Sequence, residues 1–405
     1  MNVLLISPGY PADMPHFTRG LAEVGARVYG IGDTPEALLP RLVQRCLSGY
    51  LHVRSLWDEE AVIAEVFAWK GMATIHRVEC LWEPGMMLAA RLREALGVPG
   101  LDTERTLPFR NKELMKRKLD DAGLRTPRHR HADSIAGCWE AAEEIGYPLI
   151  LKPIDGAGSM DTYRVNDREE LRAVLPRLHH VPEVSIEEFV EGEEFTFDTI
   201  CIEGRIAYFN VAWYRPRPLI ARSNEWISPQ VIALRQISQP MLTEGLEMGH
   251  KVIEALDFQT GFTHMEWYRK ESGEVVFGEI AARPPGAHQV DQMKFACNFD
   301  VYREWGRAIC WHAFEAEISR DYNVATVYKR AQGHGHIQRI EGLEHIQEAY
   351  GEHLVWDTLL PIGAQRRNWR HTLVSDGFLM LRHPDLDTTL AMADDIGCNL
   401  HLYAG

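Results

Sequence analysis

The sequence predicts a multidomain protein of mixed α/β and α+β class. Its 405 residues exceed one compact core, because a domain averages roughly 150 residues, so two or three folded units are expected. The first part of the chain alternates strand-like and helix-like segments, which is typical of a parallel α/β unit. From about residue 320 the pattern changes to short strands and a final strand-turn-helix unit.

The composition excludes several classes of partner. The chain has 43 basic and 58 acidic residues, and its formal charge of −15 is a poor match to nucleic acid or an anionic membrane. The seven cysteines are scattered and form no C-x-x-C, which suggests neither a disulfide framework nor a zinc site. The sequence shows neither a signal peptide nor a stretch approaching a membrane span. Small-molecule ligands and a cytoplasmic location are therefore predicted.

The amino-terminal elements follow in a regular order. "VLLIS" reads as a buried strand, and "HFTRGLAEVGARVYGIGD" as an amphipathic helix and a second strand. "DEEAVIAEVFAWKG" and "EPGMMLAARLREALG" have helical periodicity. The S-P-G-Y-P after the first strand lacks G-x-G-x-x-G, so no dinucleotide fingerprint is present and a supporting domain is expected.

The central elements include helices with clear ends. A helix is predicted from Asn111, a candidate N-cap, to Ala122, with Gly123 after it. "SIAGCWEAAEEIG" is amphipathic and leads into the strand "LILKP". A strand near 161–166, a helix near 167–178, the strands "VSIEEFV" and "EFTFDTICI", and a long helix at about 239–256 follow.

A small, glycine-rich loop follows the strand "LILKP". Lys152 ends the strand, and the loop Gly156–Ser159 comes four residues later. Glycines allow backbone N–H groups to approach phosphate, and a lysine supplies a point charge. The segment does not match G-x-x-x-x-G-K-[ST], so an ordinary turn is the alternative. Lys112 likewise reads either as a phosphate ligand or as a solvated helix lysine.

The segment "FTHMEWYRKESGEVVFGEIA" is predicted to be a hairpin. Ser272-Gly273 suits a two-residue turn, which would place Glu271 opposite Glu274 and Glu266 opposite Glu279. Two opposed carboxylates have Cβ atoms roughly 4.5–5.5 Å apart and repel each other unless a cation or a proton intervenes. A bridging Mg²⁺ is one interpretation, and an edge hairpin with two solvated glutamates is the other.

The second strand of this hairpin continues into "ARPPGAH". Alternation along a strand puts Glu279, Ala281 and Arg283 on one face, so the arginine is expected to point toward whatever the carboxylates hold. Two prolines stiffen the chain directly after Arg283.

Two further patterns have weaker interpretations. "RHRHAD" and "GHGHIQR" each contain H-x-H, which is either a metal-binding pair or a set of loop histidines. "AWYRPRPLIARSNEW" mixes aromatic and basic residues around prolines, as expected of a loop that receives an anionic substrate or of an ordinary surface loop.

The order of these segments resembles the ATP-grasp superfamily. The matching segments run from about residue 110 to 290 and are "RNKELMKRKLDDAGLRTP", "GYPLILKPIDGAGS", "IEEFVEGEEFTFD", "THMEWY" and "GEIAARPPG". The resemblance implies an ATP-grasp fold at residues 109–318, with a lid at about 125–188. It implies a Rossmann-like parallel α/β domain at 1–108 and a small α+β module at 319–405.

The resemblance also implies the residues of the active site. Those implied to bind ATP are Lys112, Lys152, Gly156, Gly158, Ser159, Glu187, Glu188, Phe189, Val190 and Glu194. Glu266 and Glu279 match the acidic ligands of one or two Mg²⁺ ions, with Mn²⁺ as an alternative. Arg283 and Lys152 are the implied catalytic residues, with Arg283 directed at the substrate anion.

The resemblance implies an ADP-forming carboxylate–amine ligase that makes an acyl phosphate from an amino acid or a similar small acid. One alternative is bicarbonate-dependent N-carboxylation, because some members with that activity share the E-I-A-x-R-P pattern. A non-catalytic nucleotide-binding protein is another, because Ala281 stands where many members have asparagine, and a water, His288 or Gln289 would have to fill that position. The expected partners are the carboxylate and amine substrates, with a homodimer suggested by the family.

Overall fold

Four parallel strands open the chain. The structure, a computed structural model, describes residues 1–155 and 161–405. The strands lie in the order β3-β2-β1-β4 and are β1 (Asn2–Ile6), β2 (Arg27–Gly32), β3 (Leu47–His52) and β4 (Arg77–Glu79). The helices of this region are α1 (Met14–Glu23), α2 (Arg41–Cys46), α3 (Glu59–Ala68) and α4 (Met86–Leu96). The predicted parallel α/β unit is thus confirmed.

Two helices lead from this unit to the next sheet. They are α5 (Thr103–Thr106) and α6 (Lys112–Asp121). Helix α6 begins as predicted, because the side chain of Asn111 accepts hydrogen bonds from the N–H groups of Glu113 (3.1 Å) and Leu114 (2.9 Å). After the helix, Gly123 adopts a φ of +74°, as expected for a residue beyond a helix end.

The segment predicted to be a lid contains a separate four-stranded antiparallel sheet. Its order is β5-β8-β6-β7, and its elements are β5 (His129–Ala132), α7 (Ile135–Ile145), β6 (Leu149–Pro153), β7 (Tyr163–Val165), α8 (Arg168–Val174) and β8 (Val184–Glu188). Leu149, Leu151 and Ile186 belong to an apolar core of this segment. Along β8, Ser185 and Glu187 lie on the opposite face from Ile186 and face α6.

A nine-stranded antiparallel sheet forms the body of the protein. Its order is β14-β13-β9-β11-β12-β15-β19-β18, with β10 paired to β9. Its first strands and helices are β9 (Glu193–Ile202), β10 (Arg205–Asn210), β11 (Ala212–Arg215), α9 (Pro218–Ser223), β12 (Gln230–Ala233), α10 (Thr243–Ala255), β13 (Gly261–Arg269) and β14 (Val275–Ala281).

The remaining elements complete this sheet and cover it. They are α11 (Gln289–Cys297), α12 (Val301–Trp311), β15 (Asn323–Tyr328), β16 (Gln332–Gly333), β17 (Ile337–Glu341), α13 (Leu343–Tyr350), β18 (Leu354–Asp357), β19 (Phe378–His383), α14 (Leu386–Asn399) and β20 (His401–Ala404). Strands β16, β20 and β17 form a small fourth sheet. The mixed α/β class is confirmed. The domain boundaries at residues 108 and 318 stay predictions, and the large sheet draws strands from both sides of residue 318.

Helices pack on both faces of the large sheet. On one face α10 approaches so closely that a Cβ atom at Gly245 would lie 2.4 Å from the ring of Trp267. On the other face α12 packs against α1, where a Cβ atom at Gly20 would lie 2.3 Å from the carbonyl oxygen of Tyr302. Phe17 of α1 lies in the same apolar core as Trp305 of α12. The amino-terminal unit is therefore joined to the body through a tight helix crossing.

The helices of residues 1–155 and 161–405 include none that combines the length and the apolar character needed to span a bilayer.

The β13–β14 hairpin differs from the prediction at its turn. The turn contains three residues, 271–273, because the N–H of Lys270 donates to the carbonyl oxygen of Glu274 (2.9 Å) and Gly273 has a φ of +91°. The predicted pairing of Glu271 with Glu274 is therefore wrong. A bulge at Gly278 then shifts the register by one residue, so Glu266 still lies opposite Glu279. The predicted pairing of these two carboxylates is confirmed.

The bulge leads to a first prediction. A Cβ atom at Gly278 would lie 2.7 Å from the carbonyl oxygen of Glu266, which cannot move without disturbing the strand. We expect Gly278→Ala to lower the free energy of unfolding by about 1–3 kcal/mol in chemical denaturation. Gly286→Ala is the control, because its nearest neighbour is the flexible end of Leu373, at 3.3 Å. Equal losses in the two variants would contradict this account of the bulge.

Candidate active site

Two lysines from different elements converge on Glu279. Lys112 is the first residue of α6 and Lys152 lies in β6, and their Nζ atoms are 3.6 Å and 3.8 Å from the Glu279 carboxylate oxygens. The N–H of Lys112 donates to the carbonyl oxygen of Ile154 (3.2 Å), which ties the start of α6 to the segment after β6. Two positive charges thus face one carboxylate at the edge of the large sheet.

A third lysine lies beneath these two. The Nζ atom of Lys116, one turn along α6, lies 2.5 Å from Oε1 of Glu187, and Nζ of Lys152 lies 3.0 Å from the same oxygen. Burial alone would raise the pKa of Glu187, but the two lysines outweigh it and lower the pKa to about 2. Ser185 donates to Glu113 (2.6 Å) beside this group. The ion pairs connect α6, the lid and the body.

The two predicted metal ligands lie opposite each other on β13 and β14. Glu266 lies 3.5 Å from Nε2 of His264 and accepts a hydrogen bond from Tyr214 at 3.5 Å. Burial opposes ionisation of Glu266, but the protonated His264 lowers the pKa of this carboxyl group. The Nδ1 atom of His264 lies 2.6 Å from Asp198, and these acids together raise the pKa of His264 to about 9 against the effect of burial.

These side chains fit a divalent cation. Glu266 and Glu279 supply carboxylate oxygens, which Mg²⁺ and Mn²⁺ prefer. Both side chains are partly exposed, 28% for Glu279 and 29% for Glu266. Burial, and to a smaller extent the nearby charge of Glu266, raises the pKa of Glu194 to about 8, so the two carboxyl groups repel each other in their charged forms. A bound cation would relieve that repulsion.

Arg283 is held by a carboxylate from the amino-terminal unit. Its Nε and Nη2 atoms each lie 2.7 Å from Oε2 of Glu83, and its Nη1 donates to the carbonyl oxygen of Pro284 (2.8 Å). Arg110 binds the other oxygen of Glu83 at 2.5 Å. Glu83 is buried, and the two arginines lower its pKa despite that burial. The guanidinium group therefore has a fixed orientation beside Glu279 and Glu266, whose charges help to raise its pKa.

Arginine side chains surround Phe189 and Val190, which are among the residues implied to bind ATP. The ring of Phe189 lies between the guanidinium groups of Arg164 (4.0 Å) and Arg217 (4.8 Å). Arg217 donates to the carbonyl oxygen of Val190 (2.6 Å) and lies 3.2 Å from Glu194. The carboxylate of Glu188 is instead paired with arginines of the lid.

An open cleft lies beside Glu194 and Arg217. Its volume is about 430 Å³, and it extends from Glu194 and Arg217 past α9. Trp213, Gln230 and Asp394 lie on its far side.

The structure brings most of the predicted site residues together. Lys112, Lys152 and Glu187 form one cluster with Glu279, and Glu266 and Arg283 lie next to it. The predicted loop residues Gly156, Gly158 and Ser159 lie outside the described residues. The ligand contacts assigned to all these residues stay predictions.

Several side chains of this site were not predicted from the sequence. The sequence contained a signal for Lys116, because helical spacing places this residue on the buried face of α6 with Lys112 and Leu119. Tyr214 and Arg217 belong to the aromatic and basic segment considered as a substrate loop, but their contacts with Glu266 and Glu194 were not predicted. Glu83 had no signal, because its contact with Arg283 joins segments far apart in the chain.

The histidines considered as metal ligands lie beside carboxylates. His129 of the first H-x-H lies 2.7 Å from Glu113 and 3.0 Å from Asp120. Within the described ranges, the group of three side chains that could hold a metal is Asp13, His288 and Asp291, whose ligand atoms lie within 4.8 Å of one another. His288 donates to these two carboxylates, whereas Gln289 donates to Tyr214 (3.4 Å), which itself contacts Glu266.

The Lys116–Glu187 pair leads to a second prediction. Lys116→Met removes one of the two cations that pair with the buried Glu187, and Lys152 remains, so the free energy of unfolding should fall by about 1–3 kcal/mol at pH 7. Lys118→Met, on the exposed side of the same helix, is the control. The loss should shrink in a Glu187→Gln background. Equal effects of the two lysine substitutions would contradict the pairing.

A pH dependence follows from the same pair. Glu187 has a pKa of about 2 in the folded protein against an ordinary value of 4.5, so its contribution to stability is complete above about pH 4.5. That contribution is lost as the pH falls toward 2, because the carboxyl group then takes up a proton. The difference in stability between wild type and Lys116→Met should therefore narrow over this range in denaturation curves.

Comparisons with known proteins identify the fold and the domain. A family model for the ATP-grasp domain matches residues 117–291. The L-arginine-specific L-amino acid ligase of Bacillus subtilis is 26% identical over 238 residues, which cover 55% of this chain and 57% of that protein. The chain thus matches little more than half the length of this curated relative.

Two solved structures share the fold over nearly the whole chain. The L-amino acid ligase of Bacillus licheniformis has a TM-score of 0.80 at 21% identity, covering 100% of this chain and 98% of its own. The N5-carboxyaminoimidazole synthetase of Staphylococcus aureus in complex with ADP has a TM-score of 0.71 at 15% identity, covering 97% and 96%. With the matched family model and the fold shared by these structures, residues 117–291 of this chain form an ATP-grasp domain.

Proposed function

We propose that the protein is an ATP-dependent, ADP-forming ligase that joins a small carboxylic acid, such as an amino acid, to an amine. The observation that carries this proposal is the convergence of two lysines and two opposed carboxylates beside a fixed arginine. Lys112 and Lys152 face Glu279, Glu266 lies opposite, and Arg283 follows at the end of the same strand. This set offers cations for phosphates, oxygens for a metal and a guanidinium for a carboxylate.

The proposed reaction has two steps. A carboxylate oxygen of the acid attacks the γ-phosphorus of ATP, the bond to the β–γ bridging oxygen breaks, and ADP leaves. The amine nitrogen then attacks the acyl carbon of the acyl phosphate, phosphate leaves, and the nitrogen loses a proton. Neither step needs a side-chain nucleophile, so positioning and charge neutralisation supply the acceleration.

Each residue has a role in this scheme. Lys112 and Lys152 bind the nucleotide phosphates, and Lys116 keeps Glu187 neutralised beneath them. Arg283, held by Glu83, orients the acid. The Phe189–Val190 backbone contacts the adenine and Glu194 the ribose, beside Arg217. Mg²⁺ held by Glu266 and Glu279 would neutralise charge on the phosphate oxygens when bound.

The comparisons support an amino-acid substrate. A Bacillus subtilis relative and a Bacillus licheniformis structure are both named as L-amino acid ligases. The identity of the acid and the amine stays open, as do the predicted homodimer, the cytoplasmic location and the lack of nucleic-acid partners.

Bicarbonate-dependent N-carboxylation is the second candidate. The pattern Glu279-Ile280-Ala281 followed by Arg283-Pro284 favours this reaction. The similarity to the N5-carboxyaminoimidazole synthetase structure from Staphylococcus aureus also supports it. A non-catalytic role is the third, because Ala281 offers no metal-ligating oxygen in its side chain.

The third prediction tests the reaction itself. We expect Mg²⁺-dependent release of ADP, and not AMP, when ATP is supplied with the correct pair from a panel of amino acids, other acids, amines and bicarbonate. Glu279→Gln should abolish that release. Glu271→Gln, at the exposed hairpin turn, is the control. ADP release with bicarbonate and an amine alone would favour the carboxylase, and nucleotide binding with no release from any pair would contradict the ligase.

The fourth prediction concerns Arg283. Arg283→Lys loses the two-pronged contact with Glu83, so the KM for the acid should rise about 10- to 100-fold. The Kd for Mg·ATP, measured by calorimetry, should stay unchanged. Arg105→Lys, on the surface, controls for loss of a guanidinium. A rise in the Kd for Mg·ATP equal to the rise in KM would show that Arg283 acts on the nucleotide instead.

A further inference from the structure

Two arginines beside α9 have no acidic partner. Arg222 lies in the last turn of α9 and Arg330 follows β15, and both are half-buried. Across residues 1–155 and 161–405, no carboxylate lies within ion-pair distance of either guanidinium group. Other half-buried arginines among the described residues, such as Arg235 and Arg320, also have only neutral partners. Arg222 and Arg330 differ from them because they lie close enough for the charge of one to act on the other.

Both guanidinium groups are held in place by neutral contacts. Arg222 donates to the carbonyl oxygen of Arg370 (3.0 Å). Nη1 of Arg330 donates to the carbonyl oxygens of Ala221 and Asn224 (2.8 Å each), and its guanidinium lies 4.7 Å from the ring centre of Trp369. These contacts fix the orientation of the two cations without neutralising them.

Their charges are unfavourable in this setting. Burial lowers the pKa of Arg222, and burial together with the charge of Arg222 lowers the pKa of Arg330 to about 10. The carboxylates nearby, Glu225 and Asp376, are already paired with Arg366.

Hydrogen-bonding capacity is left over as well. In the described part of the chain, the buried Nε atoms of Arg330 and Arg366 have no acceptor. The Nε atom of Arg330 is enclosed by the protein, and the contacts with the end of α9 account for Nη1. Among the described residues Nη2 has no acceptor, so it is the part of this group that an oxyanion would bind.

The cluster borders the substrate side of the candidate active site. Tyr328, two residues before Arg330, donates to the carbonyl oxygen of Ala287 (2.7 Å). A Cβ atom at Gly286 would lie 3.3 Å from the side chain of Leu373, which belongs to the segment that carries Trp369 and Arg370. Gly286 and Ala287 directly follow the proline pair after Arg283. The arginines therefore lie beside the segment expected to position the acid.

We propose that Arg222 and Arg330 form a binding site for an oxyanion group, carboxylate or phosphate, carried by one of the two substrates in addition to the carboxylate that reacts. This inference rests on the proposed ligase function. It narrows the substrate class to acids or amines with a second anionic group. An oxyanion would supply acceptors for the free guanidinium N–H groups and neutralise the two cations.

The test measures anion binding without turnover. Mg·ADP at saturating concentration occupies the nucleotide site, and calorimetry then measures the Kd of inorganic phosphate, O-phosphoserine and glutamate. Two variants remove the cations, Arg222→Gln and Arg330→Gln, and Arg222→Lys keeps the charge but loses the planar fork. Arg172→Gln, on the exposed surface of the lid, is the control for net charge.

We expect each glutamine variant to raise the Kd of the bound anion about tenfold or more, because charge-assisted hydrogen bonds are lost. The effect of Arg222→Lys should be smaller, and Arg172→Gln should have no effect. Preference for phosphoserine identifies phosphate as the group, and preference for glutamate identifies carboxylate. Unchanged Kd values in both glutamine variants would overturn the proposal.

Two further measurements distinguish failure of this inference from failure of the ligase proposal. The Kd of Mg·ADP should be equal in all variants, which shows that they are folded. If anion binding depends on Arg222 and Arg330 but no substrate pair releases ADP, the anion site stands and the ligase proposal fails. If ADP is released equally well with neutral and with anionic substrates in wild type and variants, the anion site is overturned and the ligase stands.

Discussion

The arrangement of this protein depends on a row of alternating charges that crosses three structural units. Lys116, Glu187, Lys152, Glu279 and Lys112 follow one another with each neighbouring pair of charged groups within 3.8 Å. Two of these residues belong to α6, two to the lid and one to the large sheet. Each charge would be costly to bury alone, so each element needs the others to be in place. The same row presents two cations where the nucleotide phosphates are expected.

The sequence was sufficient for most elements of the fold because they depend on local signals. The N-cap at Asn111 and the period of α6 are examples. The hairpin was harder, since the three-residue turn at 271–273 and the bulge at Gly278 each shift the register by one residue, in opposite senses. The pairing of Glu266 with Glu279 was thus predicted correctly from an incorrect turn. A glycine inside a strand often marks a bulge, so Gly278 carried a signal that the sequence analysis did not use.

The candidate site was only partly accessible from the sequence. The lysines and the two glutamates stand in recognisable segments, but their partners come from elsewhere in the chain. Glu83 meets Arg283 across 200 positions, and Arg217, the residue before α9, meets Glu194 of β9. Such contacts are fixed by the packing of the amino-terminal unit on the body, which no short pattern records. The pair Arg222 and Arg330 was likewise recognised only in the structure, because whether a cation has an acidic partner depends on the side chains around it in three dimensions.

The lid has a core of its own, and polar contacts join it to α6 and β14. They include the ion pairs of Glu187 and Lys152 and the hydrogen bond from Phe277 to Arg125 (2.9 Å). The amino-terminal unit, in contrast, is joined to the body by the apolar crossing of α1 and α12. Swinging the lid away from α6 would therefore hydrate charges rather than apolar surface. Such a motion carries little of the positive heat-capacity change that accompanies exposure of apolar groups, and ionic strength acts on it more strongly than temperature does.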